Sequence, residues 1–262
     1  MKKQSTLFNK RQTGRGRQYK KAAAITSGVF AVLFIAAAAL IYAVYFGYFH
    51  VNGFFASGYP IRGVDVSHYQ GEIDWNVLAA QDIQFAYIKA TEGSVHTDER
   101  FAENYQEARR TDLRVGAYHF FSFDSAGITQ AENFIQTVEA FDGMLPPVVD
   151  VEFYGNKEAN PPKPEDVVPQ LRDYLDAVEE AFGIRPVIYA TYESWELYIK
   201  GQFEADPLWI RDIWNKPDTS VMWTFWQYTN RGRLEGFLGV EPYVDLNVFS
   251  GTEEEWEQWG MN

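Results

Sequence analysis

The chain has 262 residues, with 23 basic against 36 acidic side chains, four histidines and no cysteine. The missing cysteine excludes a disulfide framework and any thiolate metal site, and the length suffices for one large domain with its own core. The first 21 residues hold eight Lys or Arg and no acid, which leaves 15 basic against 36 acidic residues, a net −21, for the remainder and excludes charge-driven binding of that part to nucleic acid or anionic membranes. Aromatic residues are abundant, with 8 Trp, 16 Tyr and 20 Phe. They suit either a core of large side chains or a site that stacks on flat ligands such as sugar rings.

From Ala22 to Phe49 there are 28 residues without a charge. Such a run spans a hydrocarbon layer of about 30 Å with some tilt. Tyr42, Tyr45, Phe46, Tyr48 and Phe49 crowd its far end, as an interfacial aromatic belt does. The basic residues ahead of it place the N-terminus in the cytoplasm and the rest outside. A cleaved signal peptide is the competing reading. Its apolar core is usually shorter, about 7–15 residues, although Ala56-Ser57-Gly58 forms a weak small-residue cleavage site. The expected organisation is a cytoplasmic tail (1–21), a single transmembrane anchor (22–49), a linker (50–60) and an extracellular domain (61–262).

Eight apolar, β-rich runs follow: Ile61–Ser67, Phe85–Thr91, Arg114–Phe121, Pro147–Phe153, Pro186–Tyr192, Leu208–Ile213, Val221–Tyr228 and Val244–Phe249. Several are nearly continuous in apolar residues, as strands covered on both faces are. Helical patterns follow the first five, near Asp74–Ala80, Glu99–Thr111, Thr129–Phe141, Glu165–Phe182 and Ser194–Lys200. The last three runs lack such partners. The chain therefore reads as an α/β protein, a TIM-like barrel of five βα units plus three further strands, preceded by one transmembrane helix.

In βα barrels, functional groups gather where strands end. Asp65, Glu92, Asp150, Glu152 and Asp245 all fall near strand ends, where a structural account has little use for acids. Asp150 and Glu152 form the sharpest pair. Residues i and i+2 of a strand share a face, roughly 6.5–7 Å apart along it. Val148, Val149 and Val151 surround them. Desolvation and like charge raise a carboxyl pKa, so one of the two can hold a proton near neutral pH, as a general acid for glycoside cleavage must. A salt bridge to Lys89 or an Arg, or a metal site, is the alternative. Asp65 and Asp245 lie on the first and last strands, which are neighbours in a closed barrel. They could orient water, stabilise positive charge on a sugar, or simply help close the barrel. Tyr118, Tyr189, Trp226, Gln227 and Tyr228 could form a sugar platform with polar tips, and Lys89 and Glu92 could pair with the site acids. His68 and His119 could ligate a metal beside these acids, but no HxxxH or HExxH pattern supports it. No metal and no cofactor are expected.

These residues also carry a family likeness. Asp65-Val66-Ser67-His68-Tyr69-Gln70-Gly71 with Ile73-Asp74-Trp75 resembles the opening signature of glycoside hydrolase family 25, the Chalaropsis-type lysozymes. Tyr87-Ile88-Lys89-Ala90-Thr91-Glu92-Gly93, Gly116-Ala117-Tyr118-His119-Phe120, Val149-Asp150-Val151-Glu152, Trp226-Gln227-Tyr228 and Val244-Asp245-Leu246-Asn247 resemble its later blocks, in order. The resemblance covers about Ile61 to Phe249. It implies the same barrel and cleavage of the β-1,4 bond between N-acetylmuramic acid and N-acetylglucosamine in peptidoglycan. By the same resemblance Glu152 is the general acid, Asp150 its partner, Asp65 and Asp245 further site acids, and Tyr118 and Tyr189 line the sugar pocket. Direct displacement, covalent retention and assistance by the substrate's own N-acetyl group all remain open, the last being preferred. A chitinase-like hydrolase is one competing reading, although the residues before Asp150 lack the DxxDxDxE pattern. A non-catalytic, membrane-tethered glycan-binding module is another, and the full set of acids argues against it.

Overall fold

The computed structural model describes residues 2–260, without the side chains of 2–18 and 21–23. Most of the basic residues of the N-terminal tail therefore lie outside the described side chains. The chain divides into two units, 1–49 and 50–262. In the first, a single helix, α1 (Lys2–Tyr45), contains one segment, Ala24–Tyr45, long and apolar enough to cross a membrane. At its end Gly47 adopts a left-handed φ of 68°, and the Tyr48 and Phe49 amides turn back to donate to Ala43 O.

The second unit opens with α2 (Val51–Ala56). Residues 50–60, expected as a linker, thus carry a helix of their own. Buried Asn52 donates to the carbonyls of Asp212, Asn215 and Tyr228, which fixes α2 to the domain. The strands are β1 (Arg62–Val66), β2 (Phe85–Glu92), β3 (His96–Thr97), β4 (Arg114–Phe120), β5 (Val148–Val151), β6 (Val187–Thr191), β7 (Leu208–Arg211), β8 (Phe225–Gly232) and β9 (Val244–Phe249). Their order is β1-β9-β8-β7-β6-β5-β4-β2, and pairing of β1 with β2 closes an eight-stranded barrel. All barrel neighbours are parallel except those of β9, which runs antiparallel to β1 and β8. The short β3 is a ninth strand, paired only to the end of β2.

Helices follow the first five barrel strands, as the sequence pattern implies: α3 (Trp75–Ala79), α4 (Phe101–Ala108), α5 (Gly127–Thr137), α6 (Pro164–Phe182) and α7 (Tyr192–Ser194), the last continuing into a π-turn, Trp195–Ile199. Proline at its start and left-handed Gly183 after its end delimit α6. Gly127 lets α5 cross α6 closely, because a β-carbon there would meet the Gln170 carbonyl at 1.8 Å. A C-terminal helix, α8 (Glu253–Gln258), has no counterpart among the sequence expectations.

Alternation along the strands separates two cores. Outward residues such as Val64, Ile88, Val149, Ile188, Ile210, Trp226 and Val248 pack under the helices. Inward residues at the N-terminal half of the barrel are aromatic: Phe85 lies 5.3 Å from Phe225, and Tyr87 lies 5.0 Å from Trp209, between ring centroids. Gly63 and Gly116 make room for them, since a β-carbon at either would stand 2.3 Å from the Phe85 or Tyr87 ring. Trp256 of α8 closes this end against Phe85, and its carbonyl accepts from Arg114 Nη1 at 2.6 Å. The barrel is thus plugged at one end, and any site must open at the other.

Candidate active site

At the C-terminal ends of the strands the inward positions turn polar. Asp65 follows Gly63 on β1, Lys89 follows Tyr87 on β2, and Tyr118 follows Gly116 on β4, each two residues on. Asp150 and Glu152 follow Val148, Arg211 follows Trp209, and Gln227 follows Phe225. These side chains line a cleft of about 490 Å³ together with Tyr189 and Asp245. That volume lies within the usual range for a small-ligand site, about 300–1,000 Å³.

One network fixes the position of Asp65. Its Oδ1 accepts from Asn247 Nδ2 at 2.7 Å and from Gln227 Nε2 at 3.3 Å. Trp209 Nε1, which can only donate, reaches Asn247 Oδ1 at 3.1 Å. Tyr189 OH donates to Gln227 Oε1 at 2.9 Å. Each amide therefore spends its oxygen on an aromatic donor and must present its NH₂ to Asp65. Asp245 stands directly across from Asp65 in the antiparallel β1–β9 pair, which sets two buried carboxyls side by side. Burial and the Asp65 charge push Asp245 well above the usual carboxylate range. Burial also raises Asp65, but the Asn247 and Gln227 donors oppose it. Of the two, Asp245 therefore holds a proton more readily than Asp65.

The second carboxylate pair has a different environment. Burial raises Asp150 well above its ordinary value, and the Glu152 charge raises it further. Its Oδ1 is buried with no hydrogen-bond partner. Glu152 is raised too, by burial, with the Arg211 cation opposing. The pair thus retains a proton at a pH where exposed carboxyls have lost theirs. Tyr118 and Tyr189 are held protonated, chiefly by burial and then by the surrounding carboxylates, so both remain hydroxyl donors.

Of the residues singled out in the sequence, Asp65, Lys89, Tyr118, Asp150, Glu152, Tyr189, Gln227 and Asp245 line the cleft. Three do not. Trp226 and Tyr228 point outward from β8 into the layer beneath the helices, where Trp226 Nε1 donates to Asp212 O. Alternation forces this: with Gln227 inside, its neighbours face out. Glu92 is outside the cleft lining and pairs with Lys89 Nζ at 2.7 Å. Among the histidines, His119 is buried outside the barrel between Thr91 and Gln130, and burial lowers its pKa to about 4. His68 pairs with buried Asp98 at 2.7 Å. Sequence reasoning missed Arg211, Trp209 and Asn247. Each lies an even number of residues from an inward position, which is the signal that could have found them.

A closed βα barrel with carboxylates converging at the C-terminal mouth is the arrangement of a carboxylate-dependent glycoside hydrolase. Comparison with known proteins gives the family. Residues 64–237 match the model for glycosyl hydrolases family 25, and the chain belongs to that family. A family 25 glycosyl hydrolase from Bacillus anthracis is similar in structure, with a TM-score of 0.74 and 53 % identity over 78 % of this chain and 95 % of that one. Lysozyme M1 of Streptomyces globisporus is 33 % identical over 215 residues, 73 % of this chain and 68 % of that protein. The uncharacterized protein YegX of Escherichia coli O157:H7 is 38 % identical over 221 residues, 80 % of this chain and 78 % of that protein.

Proposed function

We propose that this chain is a membrane-anchored muramidase that cuts the β-1,4 bond between N-acetylmuramic acid and N-acetylglucosamine, with Glu152 as proton donor and Asp150 as its partner. The observation that carries the assignment of roles is the Asp150–Glu152 pair at the end of β5, two carboxyls that both line the cleft, of which Asp150 leaves Oδ1 buried and unsatisfied. A buried acceptor without a donor is costly. The substrate's acetamide N–H is a donor of the right kind, and its arrival favours the ionised form of Asp150. The proton shared by the pair then resides on Glu152, beside the bond to be broken.

Glu152 gives that proton to the glycosidic oxygen as the C1–O bond breaks. The acetamide carbonyl oxygen attacks C1 and forms an oxazolinium ring, while Asp150 holds the amide nitrogen. Water then adds to C1 as the ring opens, passing its proton to the Glu152 carboxylate. The resulting sugar keeps its anomeric configuration. The Asp65–Asp245 pair, Lys89, Tyr118 and Tyr189 hold the sugar over the β5 carboxyls. The apolar segment Ala24–Tyr45 serves as an uncleaved single-pass anchor, with the N-terminus cytoplasmic and the barrel outside.

The test is digestion of purified peptidoglycan by the full chain in detergent. Fragments should end in reducing muramic acid, formed first as the retained anomer by NMR. Reducing glucosamine ends would sink the muramidase reading, and net inversion would sink the acetamide route.

A further inference from the structure

The short helix that opens the second unit has an inverted polarity. Its buried face is Asn52 and Ala56, and its exposed face is apolar: Phe54 is 79 % exposed, Val51 55 % and Phe55 46 %. A surface helix of a water-soluble domain normally shows solvent its polar side. The neighbouring turn adds to this patch. Asn52 donates to the carbonyls of Asp212 and Asn215, which brackets Trp214, itself 75 % exposed. The Asp212 carboxylate accepts from the Trp214 and Asn215 amides, so its charge is engaged within the turn.

Two further observations identify what covers this face. Five residues separate the end of α1 at Tyr45 from the start of α2 at Val51. They are not slack. The Phe49 amide donates to Ala43 O at 3.1 Å, in the last turn of α1. His50 Nδ1 and Thr229 Oγ1, on β8, are 3.1 Å apart. Even fully extended, five residues reach no more than about 18 Å. The start of α2 therefore lies within about 18 Å of wherever the apolar segment ends, by the reach of the chain alone. Aromatic side chains favour the membrane–water boundary because they join an apolar body to a polarisable or polar edge. The net negative charge of the outer part rules out a charge-driven contact, and this face needs none.

We infer that Val51, Phe54, Phe55 and Trp214 seat the catalytic domain on the outer surface of the bilayer that its own N-terminal segment crosses. The inference rests on the anchor proposed above. It also narrows the substrate. Arg211, in the cleft, directly precedes Asp212, whose carbonyl holds Asn52. The catalytic mouth thus has its rim beside the membrane-seated helix, and the glycan it cuts is the membrane-proximal layer of the wall.

The absence of cysteine permits a clean test in the full chain, reconstituted in phosphatidylglycerol–phosphatidylethanolamine vesicles. Single variants Phe54→Cys, Val51→Cys and Trp214→Cys each receive one fluorophore. Val95→Cys, 90 % exposed on the β2–β3 hairpin across the barrel from β7, is the control. Each must digest peptidoglycan at the parent rate, which verifies folding. Bromine-labelled lipid should quench the labels at 51, 54 and 214 at least threefold more than the label at 95, and aqueous iodide should show the reverse order. Equal quenching at all positions, in protein that floats with the vesicles, would overturn the seating and leave the anchor standing. Protein that fails to float would overturn the anchor and the seating with it.

Discussion

The two ends of the barrel interior are built on the same strands and the same two-residue alternation, yet they do opposite things. At the N-terminal end the inward side chains are Phe85, Tyr87, Phe225 and Trp209, packed ring against ring and capped by Trp256. Two residues further along the same strands stand Lys89, Gln227 and Arg211. The aromatic end gains by excluding water. The polar end buries at least four carboxyls at a cost, and that cost is what raises their pKa values. The rigid end holds the costly end in place, so substitutions should separate cleanly into those that unfold and those that inactivate.

The largest effect belongs to the polar end. Glu152→Gln should lower kcat on peptidoglycan about 10³-fold, or about 4 kcal/mol, while its melting temperature stays level or rises. A fall of several degrees would mean that Glu152 supports the fold. Next comes the aromatic end. Phe225→Ala removes a fully buried ring and should cost about 3–4 kcal/mol, seen as a drop in melting temperature of about 10 °C, with kcat of the remaining folded protein little changed. Gly116→Ala is a subtler break of the same layer. The Tyr87 ring cannot retreat freely, because its hydroxyl donates to Pro146 O at 3.2 Å. About 1–3 kcal/mol of destabilisation should follow, read by urea denaturation; no change would mean that the ring has room to move. Smaller still is the contrast between Tyr189→Phe and Trp226→Phe. The first removes the donor that orients Gln227 and should lower kcat/KM roughly five- to tenfold, or about 1 kcal/mol, at unchanged melting temperature. The second, on the outward face, should do the reverse.

The pH dependence of stability sharpens the same comparison. Asp65, Asp150, Glu152 and Asp245 have folded-state pKa values above their ordinary ones of 3.8 or 4.5. The folded state therefore binds protons more tightly than the unfolded chain, and these groups favour folding more as pH falls from neutral towards the ordinary carboxylate range. Melting temperature should rise as pH drops from 7.5 towards 5. The double variant Asp150→Asn/Glu152→Gln should melt higher at pH 7.5 and show a flatter slope. A parent curve that falls over this window would contradict the burial argument.

Much of this is legible in the amino-acid sequence. The eight strand runs and the five helical followers were legible because barrel strands covered on both faces are nearly continuous in apolar residues and amphipathic helices are not. The acids at strand ends were legible because nothing structural calls for them there. The errors have physical causes. Trp226 and Tyr228 suit a sugar platform by their chemistry, whereas alternation around Gln227 sends both outward. Arg211 was passed over because a search for acids ignores a cation. Asn247 looks like an ordinary polar strand residue until Trp209 fixes its amide. The two-residue β3 and the six-residue α2 are too short for periodicity to reveal, and α2 is held by three carbonyl contacts that no local pattern encodes.

Whether Glu152 supplies the proton to the leaving sugar decides the proposed mechanism. The most direct measurement compares Glu152→Gln with the parent on two substrates, natural glycan and a 2,4-dinitrophenyl glycoside of the same disaccharide, whose leaving group needs no proton. With Glu152 as the donor, the variant should lose about 10³-fold on glycan and less than about tenfold in cleavage of the dinitrophenyl substrate. An equal loss on both would contradict that role and move the proton donor to another residue of the cleft.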